Sequence, residues 1–323
     1  MHISYSRWST YAHCPYQHYL SYVEKLERKA PIRALTFGKD FHKLLQHQNN
    51  KAEMKKVIRD IKETFGQLPS DQQLALGDNY VDDIKQIFLD YKKYWKDSET
   101  PTKTELEFNI PLGAYKGSNI TFKGILDELY TPESEEYTIG EHKTFSIKPN
   151  LDLLSMNAQV CLYAKAVELL YGKKANAVLW NYIRSTPAIE PLFLKTSNRL
   201  SEAKNSNITP FSYARACKKY NLEPQQKMIE EYSNNLDNFF FRRRLDIVPY
   251  MVESIWADFK KLAKEIVIKG DTNKRKSISR DCSWCSYRSI CYGEFTGADV
   301  EYIKSKDFQT KPEREGGYVI DGE

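Results

Sequence analysis

The sequence predicts a mixed α/β fold, and three observations carry that expectation. Residues 104–112 (TELEFNIPL), 119–130 (NITFKGILDELY) and 136–145 (EYTIGEHKTF) alternate apolar and polar side chains between turn-forming Gly, Ser and Pro-Glu-Ser, as three consecutive strands do. Residues 151–171 then return to helical spacing, and NAVLWNYIR, a buried-type strand, follows a stop at Gly172. The first hundred residues are mostly helical in pattern. Strands, a helix and a further strand imply a central mixed sheet flanked by helices.

The remaining segments are read in chain order. Residues 4–29 carry Trp8, Tyr11, Tyr19, Leu20, Tyr22 and Val23 at helical spacing, interrupted near Pro15, so two short helices are expected around Cys14. Residues 36–66 and 71–97 are amphipathic helical stretches separated by the turn-like GQLPSD. From 185 to 222 the periodicity weakens, as expected of an inserted arm or mobile loop. Residues 224–237 and 249–268 look helical and flank NFFFRRRLDI. The charged tail ending in KPEREGGYVIDGE is expected to be poorly ordered. The expected division is a helical part (1–100), a core (101–184), an insertion (185–245), a C-terminal helix with a cysteine segment (246–297) and a tail (298–323).

The bulk properties narrow the class. The chain has 323 residues, 41% hydrophobic and 28% charged, enough for one large core with insertions. No apolar run approaches the roughly 20 residues of a membrane-spanning helix, and MHISYSRW has no apolar signal region, so a cytoplasmic location is expected. Six cysteines without a secretion signal favour metal or cluster ligation over a disulfide framework. The net charge of +5 suits a polyanionic partner without establishing one.

The chemistry-bearing residues lie in the central strands. Asp127 stands in GILDEL, and Glu141 and Lys143 stand in IGEHKTF. Side chains two apart on a strand share a face, so Glu141 and Lys143 project together and His142 turns away. Neighbouring strands can thus converge two carboxylates and an ammonium group. Hard carboxylate oxygens suit Mg²⁺ or Mn²⁺, which acidifies a water, while a lysine offsets charge building on a phosphate. The same residues could instead be solvated positions on an amphipathic hairpin. Gln159 and Tyr163, at i and i+4 on the helix that follows, share one face. His42, in FGKDFHKLL, could reach the site from an earlier helix, and Glu105 and Glu107 either join it or merely support their strand.

The order Gly38-x-x-x-His42, Gly124-x-x-Asp127, Glu141-x-Lys143 and Gln159-x-x-x-Tyr163 resembles the RecB-like group of PD-(D/E)XK nucleases, from about Ser4 to Gly297. The resemblance implies a restriction-endonuclease-like fold. It implies that His42, Asp127 and Glu141 bind Mg²⁺ or Mn²⁺, that the His142 carbonyl adds a ligand, and that Lys143 is catalytic. Gln159 and Tyr163 would contact the substrate or support the site.

Near the C-terminus, Cys282, Cys285 and Cys291 form C-x2-C-x5-C and need a fourth ligand. Cys14, followed by Pro15, matches the family pattern for it. One cysteine before the core and three after resemble the iron-staple nucleases, which implies a [4Fe–4S] cluster joining the two ends. Zn²⁺ held by the same thiolates is the alternative. Cys161 reads as a core residue, and Cys217 has no partner at ligand spacing.

The basic residues Arg242, Arg244, Lys274, Arg275 and Lys276 are candidates for DNA contacts. A compact chain without a P-loop pattern suggests a stand-alone exonuclease in recombination, repair or phage DNA metabolism, with recombination or replication proteins as possible partners. A structure-specific or single-strand endonuclease is the first alternative. The second, of another class, is a non-catalytic iron–sulfur DNA-binding or redox-sensing protein.

Overall fold

Apolar alternation along residues 103–145 is expressed as a three-stranded antiparallel meander at the centre of a six-stranded sheet. The computed structural model describes residues 1–96, 98–131 and 136–311. The N-terminal elements are β1 (His2–Ile3), α1 (Tyr5–His13), α2 (Pro15–His18), β2 (Leu26–Arg28), α3 (Arg33–Gln46), α4 (Lys51–Gln67), α5 (Ser70–Leu76) and α6 (Tyr80–Tyr94). The central elements are β3 (Lys103–Tyr115), β4 (Ser118–Tyr130), β5 (Tyr137–Phe145), α7 (Ala158–Tyr171) and β6 (Ala175–Arg184). Then come β7 (Phe193–Leu194), β8 (Arg199–Leu200), α8 (Pro210–Lys219), α9 (Gln226–Ser233), β9 (Phe240–Asp246), α10 (Pro249–Lys269), α11 (Arg288–Thr296), α12 (Val300–Asp307) and β10 (Phe308–Thr310).

The sheet is mixed: β5 and β6 run parallel through the α7 crossover, and β9 pairs antiparallel with β6. Local signals place α7. Asn157 accepts a hydrogen bond from Val160 N at its start, and Gly172 ends it in the left-handed region at φ 69°. Its face buries Leu162, Ala166 and Val167 against Phe122, Leu126 and Ile139, together with Trp256 and Phe259 of α10. The opposite face of the sheet is covered by α3, α4 and α6, where Phe37, Phe41, Phe88 and Tyr91 pack with Ile183 and Phe240. Two helical layers therefore enclose the sheet.

The detail that matters for the site is the edge of β4. Leu129 pairs with Lys103 of β3 and Ile139 of β5, while Phe122 pairs with Ile110 of β3 and Ile3 of β1. So β1 and β5 share one edge of β4, and the stretch between them contains Asp127. The β4–β5 ladder runs only through Glu128↔Gly140, Leu129↔Ile139 and Tyr130↔Thr138. Beyond it the two strands part and leave a fork.

Several expectations are corrected. The amphipathic stretch from 36 to 66 is two helices, because the chain turns before Asn50, which caps α4 by accepting from Ala52 N and Glu53 N. Likewise α5 and α6 are separated at Gly77. The 185–222 region is not a structureless arm. It holds the β7–β8 hairpin and α8, and packs Leu200, Ile208, Tyr213 and Cys217 with Met228 and Tyr232 into a small core of its own. Arg215 of α8 docks it on α6, with Nη1 2.8 and 2.9 Å from the two oxygens of Asp90. The start of the tail is ordered too: α12 packs on α11, and β10 pairs antiparallel with β2, joining the two ends of the chain by backbone hydrogen bonds. The rest of the tail, 312–323, lies outside the described residues. Tyr11 is a core residue, and Trp8, partly buried, packs against that core 5.9 Å from Phe259.

Gly124 faces Phe108 across the β3–β4 ladder, and a Cβ there would stand 2.4 Å from Phe108 Cζ in a buried ring that has no room to retreat. Gly124→Ala is therefore expected to lower stability by about 1–3 kcal/mol, read as a lower urea midpoint; an unchanged midpoint would show that Phe108 repacks freely.

Candidate metal and catalytic site

Asp127 stands where β4 and β5 separate. Its Oδ2 accepts a 2.7 Å hydrogen bond from His142 N, which bridges the fork where the ladder has ended. Its Oδ1 is 3.6 Å from His42 Nδ1. Gly38 lets α3 come this close to β5, since a Cβ there would lie 3.3 Å from Thr144 Oγ1. His42, one turn along α3, then reaches the fork.

Glu105 completes the group. Donor atoms of His42, Glu105 and Asp127 lie within 4.8 Å of one another. Glu105 falls between the pairs Thr104↔Glu128 and Leu106↔Leu126, opposite Asp127, and has left-handed φ of 48°. Such a backbone is uncommon for a residue with a Cβ and costs on the order of 1 kcal/mol or more. Here it coincides with a carboxylate turned to the fork. One imidazole nitrogen and two carboxylates form a donor set that fits a hard divalent cation.

Glu141 and Lys143 lie beside this group, on the α7 side of β5. Lys143 Nζ is 3.2 Å from Glu141 Oε1 and donates to Gln159 Oε1 of α7 at 3.1 Å. Glu141 is not among the donors that converge within 4.8 Å. Tyr163, one turn after Gln159, is buried edge-on against Phe108 at 5.6 Å and belongs to the core margin.

His142 points to the other face, into a buried polar network. Its Nε2 is 3.2 Å from Glu128 Oε1, and its Nδ1 is 2.8 Å from Asn181 Nδ2. Tyr130 Oη donates to Glu128 Oε2 at 2.8 Å. Asn181 Nδ2 also reaches Tyr91 Oη at 2.7 Å, and Arg242 donates to Tyr91 Oη at 3.1 Å and Asn181 Oδ1 at 3.4 Å. Its guanidinium lies 4.3 Å over the Trp95 ring. Arg242 is thus turned inward, away from the DNA-facing position expected of it, because its strand face is the one covered by α6. Arg244 of the same face donates to Thr138 Oγ1 at 2.9 Å.

The charges respond to this packing. Desolvation lowers the His42 pKa and Asp127 opposes it, while His142 and Lys143 add to the lowering, so the ring keeps a lone pair near neutral pH. Burial disfavours the charged Glu128, yet His142, Tyr130 and Arg242 hold its carboxyl below the usual range. Glu105 is pushed up to about 7, first by burial and then by the Asp127 charge.

The cysteines are also neighbours. Cys14, Cys285 and Cys291 pack around Tyr16, Leu20, Tyr287 and Ile290, and Cys282 Sγ accepts from Ser279 N at 3.4 Å. Burial raises the Cys285 thiol pKa and, after a backbone hydrogen bond that opposes it, Cys14, Cys282 and Cys291 raise it further. Cys161 and Cys217 are buried in separate cores. Lys274 and Lys276 lie over aromatic rings of the same lobe, and Arg275 is exposed between them.

A family model for the PD-(D/E)XK nuclease superfamily matches residues 2–292, which sets the forked sheet within one class of metal-dependent nucleases. The chain belongs to that superfamily, and membership implies a DNA substrate. The solved structures that resemble it include two of low sequence identity. "Crystal structure of SSO0001" is 13% identical, covers 78% of this chain and 83% of its own, and has a TM-score of 0.35. A "Putative exonuclease" from Eubacterium rectale is 11% identical over 87% of this chain and 86% of its own, with a TM-score of 0.47. No curated protein sequence matches the chain. Among the described residues, no helix is long and apolar enough to cross a membrane.

Glu105 was only one of two acidic candidates on its strand; its register opposite Asp127 is what singles it out. Its raised pKa makes a signed prediction for the metal-free protein. A carboxyl at about 7 in the fold, against an ordinary 4.5, contributes stability that is full below pH 4.5 and lost as pH rises through 7. Glu105→Gln should therefore raise Tm more near pH 8 than near pH 5, and an equal change at both would contradict the carboxylate crowding.

Proposed function

We propose that the protein is a Mg²⁺- or Mn²⁺-dependent deoxyribonuclease of the RecB-like group that degrades DNA from ends, in recombination, repair or phage DNA metabolism in the cytoplasm. The observation that carries the reading is the convergence of His42, Glu105 and Asp127 beside the Glu141–Lys143 pair at the fork. In this reading His42, Asp127 and Glu105 hold the cation, with Glu141 and the His142 carbonyl at its margin. When bound, the ion would supply Lewis acidity at the phosphate and lower the pKa of a water.

The chain's own groups do the rest. Neutral His42 offers a lone pair rather than a competing positive charge. Lys143, held by Glu141 and Gln159, presents a fixed ammonium group to a phosphate entering the fork and offsets the negative charge that grows as the phosphorus–oxygen bond forms. Gln159 is a positioning residue for that lysine. Tyr163 supports the helix that carries Gln159. The network around His142 holds the Glu141-x-Lys143 strand from behind.

The second part of the proposal is a [4Fe–4S] cluster on Cys14, Cys282, Cys285 and Cys291. The four thiols share one neighbourhood, supplied by both ends of the chain. Zn²⁺ held by the same four thiolates is the alternative. Bound there, the cluster would add a covalent tie to the β2–β10 pairing of the chain ends.

Lys143→Ala and Asp127→Asn should each abolish Mg²⁺- or Mn²⁺-dependent cleavage of end-labelled linear DNA while the far-ultraviolet circular dichroism stays native; full activity in either would remove the assignment. A closed circular duplex should be spared, and its cleavage would select the endonuclease alternative. Protein purified without oxygen should be brown and contain iron and sulfide, and Cys282→Ala should be colourless; stoichiometric zinc without iron would overturn the cluster.

A further inference from the structure

The cysteine lobe carries a row in which aromatic rings alternate with cations, with Tyr16 buried at its base and Trp284, Tyr292 and Phe295 exposed. Lys274 Nζ stands 4.3 Å from the centre of the Tyr19 ring. Tyr19 stacks with Tyr16 at 6.4 Å with planes 12° apart. Lys276 Nζ lies 5.1 Å from the Tyr16 ring and 4.5 Å from Phe295. Phe295, Tyr292 and Arg288 continue along α11 at spacings of three and four residues, so they share one helical face.

That face is not packed against the protein. Ile290 and Gly293 form the buried side of α11, whereas Tyr292 is 66% and Phe295 62% exposed. Trp284, between Cys282 and Cys285, is 88% exposed. Large rings concentrated on a surface mark an interaction site more often than chance placement. The local charge is positive. Glu294 offsets Lys276 at 2.5 Å, which leaves Lys274, Arg275 and Arg288 in excess on this surface.

We infer that this row is a stacking platform for an unpaired nucleic-acid strand. Unpaired bases present π faces that Tyr and Phe can stack on, while the phosphates between them meet Lys and Arg; a duplex has already stacked its bases internally and offers the rings little. An acidic protein surface would satisfy the cations and leave the rings in water. The platform rests on the DNA-nuclease reading above and narrows its substrate to DNA with an unpaired segment. Its place beside the four thiols means that the lobe tying the chain ends would also grip the strand.

The test uses the full chain, purified anaerobically and carrying Lys143→Ala to prevent cleavage, with a fluorescent oligothymidylate and a blunt duplex of equal length. Tyr292→Ala with Phe295→Ala should weaken binding of the single strand by at least about tenfold and of the duplex by less than about twofold. Both side chains are exposed, so the melting temperature should hold, and Tyr292→Phe with Phe295→Tyr should restore binding. Single-strand affinity equal to the parent's, an equal loss on both substrates, or no oligonucleotide binding by the parent would each overturn the platform. If Lys143-intact protein cleaves no DNA while the selective loss persists, the nuclease reading fails and the platform stands.

Discussion

Asp127 is the residue on which the arrangement turns. A β-strand in the middle of a sheet normally spends its edge groups on a neighbour, but along this part of β4 one neighbour has left and the next has not begun. The carboxylate takes over that place: one oxygen accepts from the β5 backbone at His142 N, and the other faces His42 of α3. One side chain thereby fixes the width of the fork and the distance of α3 from it. The left-handed backbone of Glu105, directly opposite, brings a second carboxylate to the same point at a conformational cost that the long β3–β4 ladder absorbs.

Strand parity then divides the labour between two faces. Asp127, Glu141 and Lys143 serve the fork, while Glu128 and His142, their immediate neighbours in the chain, are buried with Asn181, Tyr91 and Arg242 on the α6 side. Buried polar groups without partners cost about 1–3 kcal/mol each, so the network holds together only if its members keep their positions. Its effect is to fix the strand that carries Glu141 and Lys143 against α6 as well as against α7. A guanidinium that seemed from the sequence to be free for phosphate is used here as internal support.

What was legible in the sequence follows from which interactions are local. The period-two pattern of β3, β4 and β5 and the parity of Glu141 and Lys143 are properties of a few adjacent residues, and both appear in the structure. So does α7 with its Gly172 stop, although the helical stretch expected from 151 is broken at Asn157, which caps α7 after a separate 3-10 turn at Leu151–Met156. Glu105 could not be separated from Glu107 without the β3–β4 register and a backbone angle that no composition signals. The inward turn of Arg242 needed knowledge of which sheet face α6 covers. The small core of the insertion escaped notice because Leu200, Ile208, Tyr213, Met228 and Tyr232 have no common period. The β10 strand escaped because three residues of tail gain meaning only beside Leu26–Arg28, far away in the chain.

The account depends on a cation occupying the fork, and locating that cation is the most direct test. Crystals of the protein soaked in Mn²⁺ should give one anomalous peak among His42, Glu105 and Asp127, absent in Asp127→Asn crystals treated alike. A peak at another place on the sheet, or an undiminished peak in the variant, would contradict the assignment of the fork as the hydrolytic centre.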